Sequence, residues 1–246
     1  MIRSLIKLSL VASFVLLVVA VWRSTILPPP SGLNAVLLEE PEQRPVQQAA
    51  FEVSTQGVTY TVQPLYAYDL VGLVVSKHDA HTWWDYIHRE ANDHINVVDL
   101  CVVWGNNVRS GAYTEFAFSS GQFTCNFSTN FSEAYAAFDQ AAVSNNHLLS
   151  ADPRLAKLML SVREGDQIHF RGYLAEYSHN HGFAYKRGTS TVRTDSGNGA
   201  CETVYVESFQ ILKAGGQPWR MLVWVAGLWL LLSLIAWFSQ PARFND

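Results

Sequence analysis

The chain has 246 residues, 15% of them charged, with a formal net charge of −4. That balance excludes a nucleic-acid binder working through a basic stripe, and it equally excludes an acidic tail. Hydrophobic residues make up 49% of the chain, and two long apolar runs stand near its two ends, leaving one domain's worth of core between them.

Residues 4–22 hold Leu5, Ile6, Leu8, Leu10, Val11 and the run Phe14 to Val21, bracketed by Lys7 and Arg23. A stretch of this length and composition predicts a membrane-spanning helix. The competing reading is a cleavable signal peptide, with Val18 and Ala20 at the small-residue positions, but Trp22 and Arg23 suit an interfacial end. Residues 23–50, with Pro28, Pro29, Pro30, Pro41, Pro45, several glutamines and one apolar patch from Leu33 to Leu38, read as an extended stalk with one short helical turn. The domain is expected to occupy 51–212. Val58, Tyr60 and Val62 alternate like a strand until Pro64, and a stronger strand is predicted from Tyr66 to Lys77, with Gly72 as a candidate bulge.

The segment His78 to His94 predicts a helix with Trp83, Trp84, Ile87 and Ala91 on one side. On such a helix His81, Asp85 and His88 fall along one stripe, a metal-capable set whose plainer reading is a solvated polar face. Asn96 to Trp104 reads as a strand buried on both faces. Phe116 to Phe127 reads as two short strands about Ser119-Ser120-Gly121, with Cys125 in the second, and Ser132 to Val143 is Ala-rich and helical in character. Asp152 and Pro153 supply a cap and a first-turn proline for a helix carrying Leu155, Leu158, Met159 and Val162. Strands follow at Ile168 to Ala175 and Thr203 to Leu212. Between them lies a polar loop with His179, His181, Arg187, Arg193, Asp195, Gly197, Gly199 and Cys201.

Residues 219–238 form a second apolar span with Trp219 and Trp237 near its ends, followed by the short tail 239–246. Two spans put both termini on one side. Arg3, Lys7 and Arg243 favour the cytoplasm for them, against Arg23, Lys213 and Arg220, so the domain is expected outside. Cys101, Cys125 and Cys201 suit an oxidising compartment with one bridge and one thiol. All three pairings are open from the sequence; Cys101 with Cys125, both in strand-like segments, is the expected one.

The order β, β, β, α, β, β resembles the OB-fold, a small Greek-key barrel with its helix before the fourth strand, and Gly165-Asp166-Gln167-Ile168 leading into Arg171-Gly172-Tyr173-Leu174 fits that passage. The resemblance implies a mainly β (α+β) class: an OB-like β-barrel with inserted helices, flanked by two transmembrane helices. The wording Ser144-Asn145-Asn146-His147-Leu148-Leu149, Arg193-Thr194-Asp195 and Gly197-Asn198-Gly199-Ala200-Cys201-Glu202 also resembles a family of uncharacterised bacterial membrane-anchored proteins. That likeness implies a bacterial inner membrane with the domain in the periplasm, and no assigned activity.

Two further readings meet at the polar loop. His181-Gly182 followed by Ser196 to Cys201 resembles the His-Gly and Ser-x-Gly-Cys motifs of the L,D-transpeptidases, which would make Cys201 a nucleophile and His181 its base, although Ala200 and Glu202 depart from that pattern. His179, His181 and Asp195, joined by His147, form a candidate metal set, with a capped polar loop as the alternative. The candidate ligand-binding residues are His147, His179, His181, Arg187, Arg193 and Asp195. No catalytic residue is favoured and no cofactor is expected. The reading that follows is a non-enzymatic binding or assembly module of the cell envelope, with the lipid bilayer and other membrane or envelope proteins as partners and no nucleic acid.

Overall fold

The computed structural model describes residues 2–192 and 201–240. The chain forms two compact units, one built from its two ends and the other spanning Leu27–Ala214. The first contains helix α1 (Ile2–Ser24), apolar on every side and long enough to cross a membrane. The helix at Trp219–Phe238 meets the same test, with a mean hydropathy of 2.2 over its most apolar window. The Ser9 and Ser233 hydroxyls lie 2.8 Å apart and the Trp229 indole N–H donates to Ser9 Oγ at 2.9 Å, a polar contact between two otherwise largely apolar helix faces.

The second unit begins earlier than its strand pattern implies. Turns of 3-10 helix at Pro30–Gly32 and Ala35–Leu38 pack Leu37 wholly inside, against Leu73, Val103, Tyr113 and Phe116. The Gln167 side chain ties this stretch down, accepting from Asn34 N and donating to Gly32 O. Strand β1 (Glu42–Pro45) then pairs antiparallel with the stretch Tyr66 to Asp69. Part of the expected stalk is therefore folded into the domain, because its leucines have a buried face to fill.

Strands β2 (Phe51–Thr55) and β3 (Val58–Asp79) form a hairpin about Gln56 and Gly57, both at positive φ. The break expected at Pro64 is absorbed as a register shift, so β3 runs on. It continues through His78, which removes the first turns of the predicted helix. Only α2 (Tyr86–Glu90), capped by Asp85, is helical there. Strand β4 (Asn96–Val103) is buried at every position, as its apolar run predicts. Helix α3 (Gly105–Ser110) ends on the left-handed Gly111. The hairpin β5 (Ala117–Gly121) and β6 (Thr124–Ser128) forms a separate two-stranded sheet. After the short α4 (Ser132–Ala137) comes β7 (Val143–Leu149), a buried strand that the polar wording Ser-Asn-Asn-His disguises.

Helix α5 (Pro153–Ser161), with Asp152 accepting from Arg154 N, precedes β8 (Gln167–His179), β9 (Tyr185–Arg187) and β10 (Glu202–Lys213); α6 is the terminal helix Trp219–Phe238. The pairings run β3–β4, β4–β7, β7–β10, β10–β8 and β8–β3, with only β7–β10 parallel, so the strand path returns to its start. Gly172 permits the tight β8–β10 crossing: a Cβ there would lie 1.9 Å from Tyr205 O. The fold is thus a mixed α+β unit with a large strand-rich sheet. One core packs Leu100, Val102, Phe170, Leu174 and Val204 beneath Met159 of α5 and Val162 just after it; another packs Leu73, Val75 and Val103 against Phe116 and Phe138.

Candidate functional site

The chemistry-bearing residues gather at one end of the sheet, where the β3–β4 connection, the β5–β6 turn and the β8–β10 connection meet. A hydrogen-bonded chain runs through them. His78, at the end of β3, and His88, on α2, both reach Asp85 Oδ2, through Nε2 at 2.7 Å and Nδ1 at 2.6 Å. Asp85 Oδ1 accepts from His88 N at 3.1 Å, so the carboxylate that caps the helix also fixes both rings. The Asn96 amide donates to His88 Nε2 at 2.8 Å and to Asp99 Oδ1 at 3.1 Å. Asp99 Oδ1 also accepts from His147 Nδ1 at 2.6 Å, and Asp99 Oδ2 from Phe123 N at 3.2 Å. Arg187 closes the series by donating to His147 Nε2 at 2.7 Å, with its guanidinium 3.9 Å above the Phe123 ring.

Donors and acceptors alternate without conflict along this path when His147 is neutral with its proton on Nδ1. His78, Asp85, His88, Asp93, Asn96, Asp99 and His147 are all at most 2% exposed. Burial opposes charge on Asp99, but His147 and Asn96 outweigh it and hold the carboxyl below its usual range. Burial likewise works against the Asp85 carboxylate, and the bonds from His78 and His88 prevail in lowering it. The His147 imidazole is pushed down by burial, against the pull of Asp99 and with the Arg187 charge adding to the effect.

Beside the chain, Asp93 Oδ2 accepts from Tyr177 OH at 2.6 Å and Tyr185 OH at 3.3 Å, and lies 4.0 Å from His88 Nε2. Four buried oxygens, Asp93 Oδ1, Asn96 Oδ1, Asn145 Oδ1 and Asn146 Oδ1, have no hydrogen-bond partner, nor does Arg187 Nε. The surplus is on the acceptor side. Cys201 is half-buried; its thiol donates to Phe123 O and accepts from Asn145 Nδ2, both at 3.8 Å, and burial pushes its pKa up. It is held as a neutral thiol, the reverse of an activated nucleophile.

Of the residues singled out from the sequence, His147, Arg187, Asp85 and His88 belong to the chain. His81 does not: with no helix over 78–85, it sits by Asp79 at the surface, and His78 takes the third place beside Asp85 and His88. His179 is buried apart, its Nε2 donating to Ala91 O and its ring stacked on Tyr185. His181 is exposed and its backbone N–H donates to His179 Nδ1, while the Cys201 thiol bonds to Phe123 and Asn145 and not to His181. Arg193 and Asp195, with Gly197 and Gly199, lie outside the described residues. Cys101 and Cys125 are bridged, joining β4 to the separate hairpin rather than two strands paired with each other, and Cys201 is the free thiol. Asn96 and Asp99 escape a reading by motif, although a carboxylate in the middle of the Val97–Val103 run is itself a signal, since such a group is rarely buried unpaired.

Above this sealed chain the surface is aromatic. Trp83 is 87% exposed, Tyr86 54% and Trp84 47%, and Phe183 on the β8–β9 turn is 43% exposed. The two loops are joined by Asn92 Nδ2 donating to His181 O and by His179 to Ala91 O. Comparison with protein-family models, curated proteins and solved structures finds no match to the chain.

Proposed function

We propose that the chain is a membrane-anchored binding or assembly module of the bacterial cell envelope, with an OB-like barrel held in the periplasm by two spans. The closed strand path and the helix before β8 support the barrel, since an OB-fold's third and fifth strands run parallel as β7 and β10 do. In that fold ligands lie over the second and third strands and the loops beside them. Here the disulfide-tied hairpin β5–β6 packs against β3, β4 and β7, which leaves the loops after β3 and β8 as the free part.

The observation that carries the reading is the exposure of Trp83, Trp84, Tyr86 and Phe183, while the ionisable groups His78, Asp85, His88, Asp99 and His147 are buried and bonded within one chain. Aromatic rings on a fixed loop suit a protein surface, whereas catalysis needs its acid, base or nucleophile within reach of substrate. The loops display no run of Lys or Arg with which to follow a nucleic-acid backbone. A photo-reactive residue placed at Trp83 in the full chain, in cells, tests it. Discrete protein adducts from position 83, absent from a control position such as Thr55, are expected; equal adduct patterns at both positions overturn the reading.

A further inference from the structure

We propose that His78, Asp85 and His88 form a closed binding site for one divalent transition-metal cation of the zinc class. One ligand atom from each of the three residues lies within 4.8 Å of the other two, and all three residues are buried. Two imidazoles and a carboxylate are a ligand set that such cations take. The rings now meet Asp85 Oδ2 at 2.7 and 2.6 Å. Ligands at about 2.0–2.2 Å in a tetrahedral arrangement stand about 3.3–3.6 Å apart, so each ring draws back from Asp85 Oδ2 by about 0.6–1.0 Å and two N–H···O contacts become metal bonds.

The surroundings point the same way independently of the three ligands. Asp85, Asp93 and Asp99 are each at most 1% exposed, and among the described residues Arg187 is the Lys or Arg side chain hydrogen-bonded into the group, so the pocket is short of positive charge. A cation on His88 Nδ1 leaves that ring's proton on Nε2, so the Asn96 amide, which donates to Nε2 at 2.8 Å without the cation, has to turn away from it. Asp93 Oδ2 lies 4.0 Å from that nitrogen, and Asp93 Oδ1 is buried without a hydrogen-bond partner. It is placed to accept the proton as the outer carboxylate of a carboxylate–histidine–metal arrangement. The three protein ligands are buried, and an enclosed water would complete the four-coordination. The site's effect is mechanical: His78 ends β3 and His88 lies within α2, so the cation closes the loop that displays Trp83 and Trp84.

The test uses the full chain purified in detergent and stripped with a chelator. Zinc is titrated against a chromophoric competitor, and cobalt is added to a second sample to read its visible d–d bands. One equivalent of tightly held zinc and a four-coordinate cobalt spectrum are expected. His78→Ala and His88→Ala should lose the bound equivalent, Asp93→Asn should weaken it about 10–100-fold, and His81→Ala and His181→Ala should keep it. Wild-type protein that leaves all the zinc with the competitor overturns the proposal, whether or not the ligand variants fold. So does binding that His181→Ala removes and His78→Ala spares. The envelope-binding role stands apart from either outcome, because adducts at Trp83 are read without added metal.

Discussion

Asp99 is an ionised carboxylate in a strand buried along its whole length, and it persists because three donors converge on it: His147 Nδ1, Asn96 Nδ2 and Phe123 N. Removing it by Asp99→Ala strands those donors, so a loss of about 3–5 kcal/mol is expected from urea unfolding. The pair also sets a pH dependence. Asp99 is held low, so its contribution is present above its unfolded pKa of about 3.9 and lost as pH falls through the folded value. His147 is held low as well, so below about 6.5 the unfolded chain takes a proton that the folded chain refuses. Both signs agree: acid destabilises. Between pH 7 and 5 stability should fall with a slope of up to about 1.4 kcal/mol per pH unit for the His147 proton, and His147→Gln should flatten it. A wild-type domain that grows more stable over that range contradicts this protonation scheme. Cys201 follows the same logic. Its raised thiol should alkylate slowly at neutral pH in the folded chain and readily once unfolded, and fast labelling of the folded chain would restore the nucleophile reading.

At the scale of elements, the hairpin β5–β6 depends on its bridge. It pairs with no strand of the large sheet, so the Cys101–Cys125 bond and the aromatic contacts of Phe118 and Phe127 with Phe116 and Phe138 hold it in place. Its turn delivers Phe123 to Asp99 and Arg187. Replacing both cysteines by Ala is expected to cost about 2–4 kcal/mol and to free the turn, read as faster amide exchange at Phe123. The elements with a clean apolar period, β4, β8, β10, α5 and the two apolar helices, are legible in the sequence for the physical reason that they bury one face or all faces. Strand β7 is not, since Ser144, Asn145, Asn146 and His147 are inside for the sake of hydrogen bonds rather than apolar area. The 78–94 segment misleads for a related reason: β3 pairs with β4 as far as Asp79, and long-range pairing overrides a helical spacing that is plausible locally. Hence Asp85 and His88 were accessible to sequence reasoning and His78, their third partner, was not.

At the scale of the molecule, the two apolar helices and the folded unit between them raise the question of side. Arg3 and Lys7 precede or begin the first apolar run, while Arg23, Lys213 and Arg220 lie near the opposite ends, so basic residues alone give a divided vote. The proposed periplasmic side fits the disulfide, because a bridge joining β4 to the hairpin persists where thiols are oxidised and is rare in the cytosol. The expected outcome is therefore that alkaline phosphatase fused after Lys213 is active and a cytoplasm-only fluorescent reporter at the same position is dark. Cysteine trapping should agree: Cys101 and Cys125 resist alkylation until reduced, and Cys201 alone is available after denaturation. A fluorescent fusion with all three cysteines reactive after denaturation without reductant would invert the topology. The domain would then stand on its hydrogen bonds and core without a covalent tie, and the hairpin that meets Asp99 would be the first element to open.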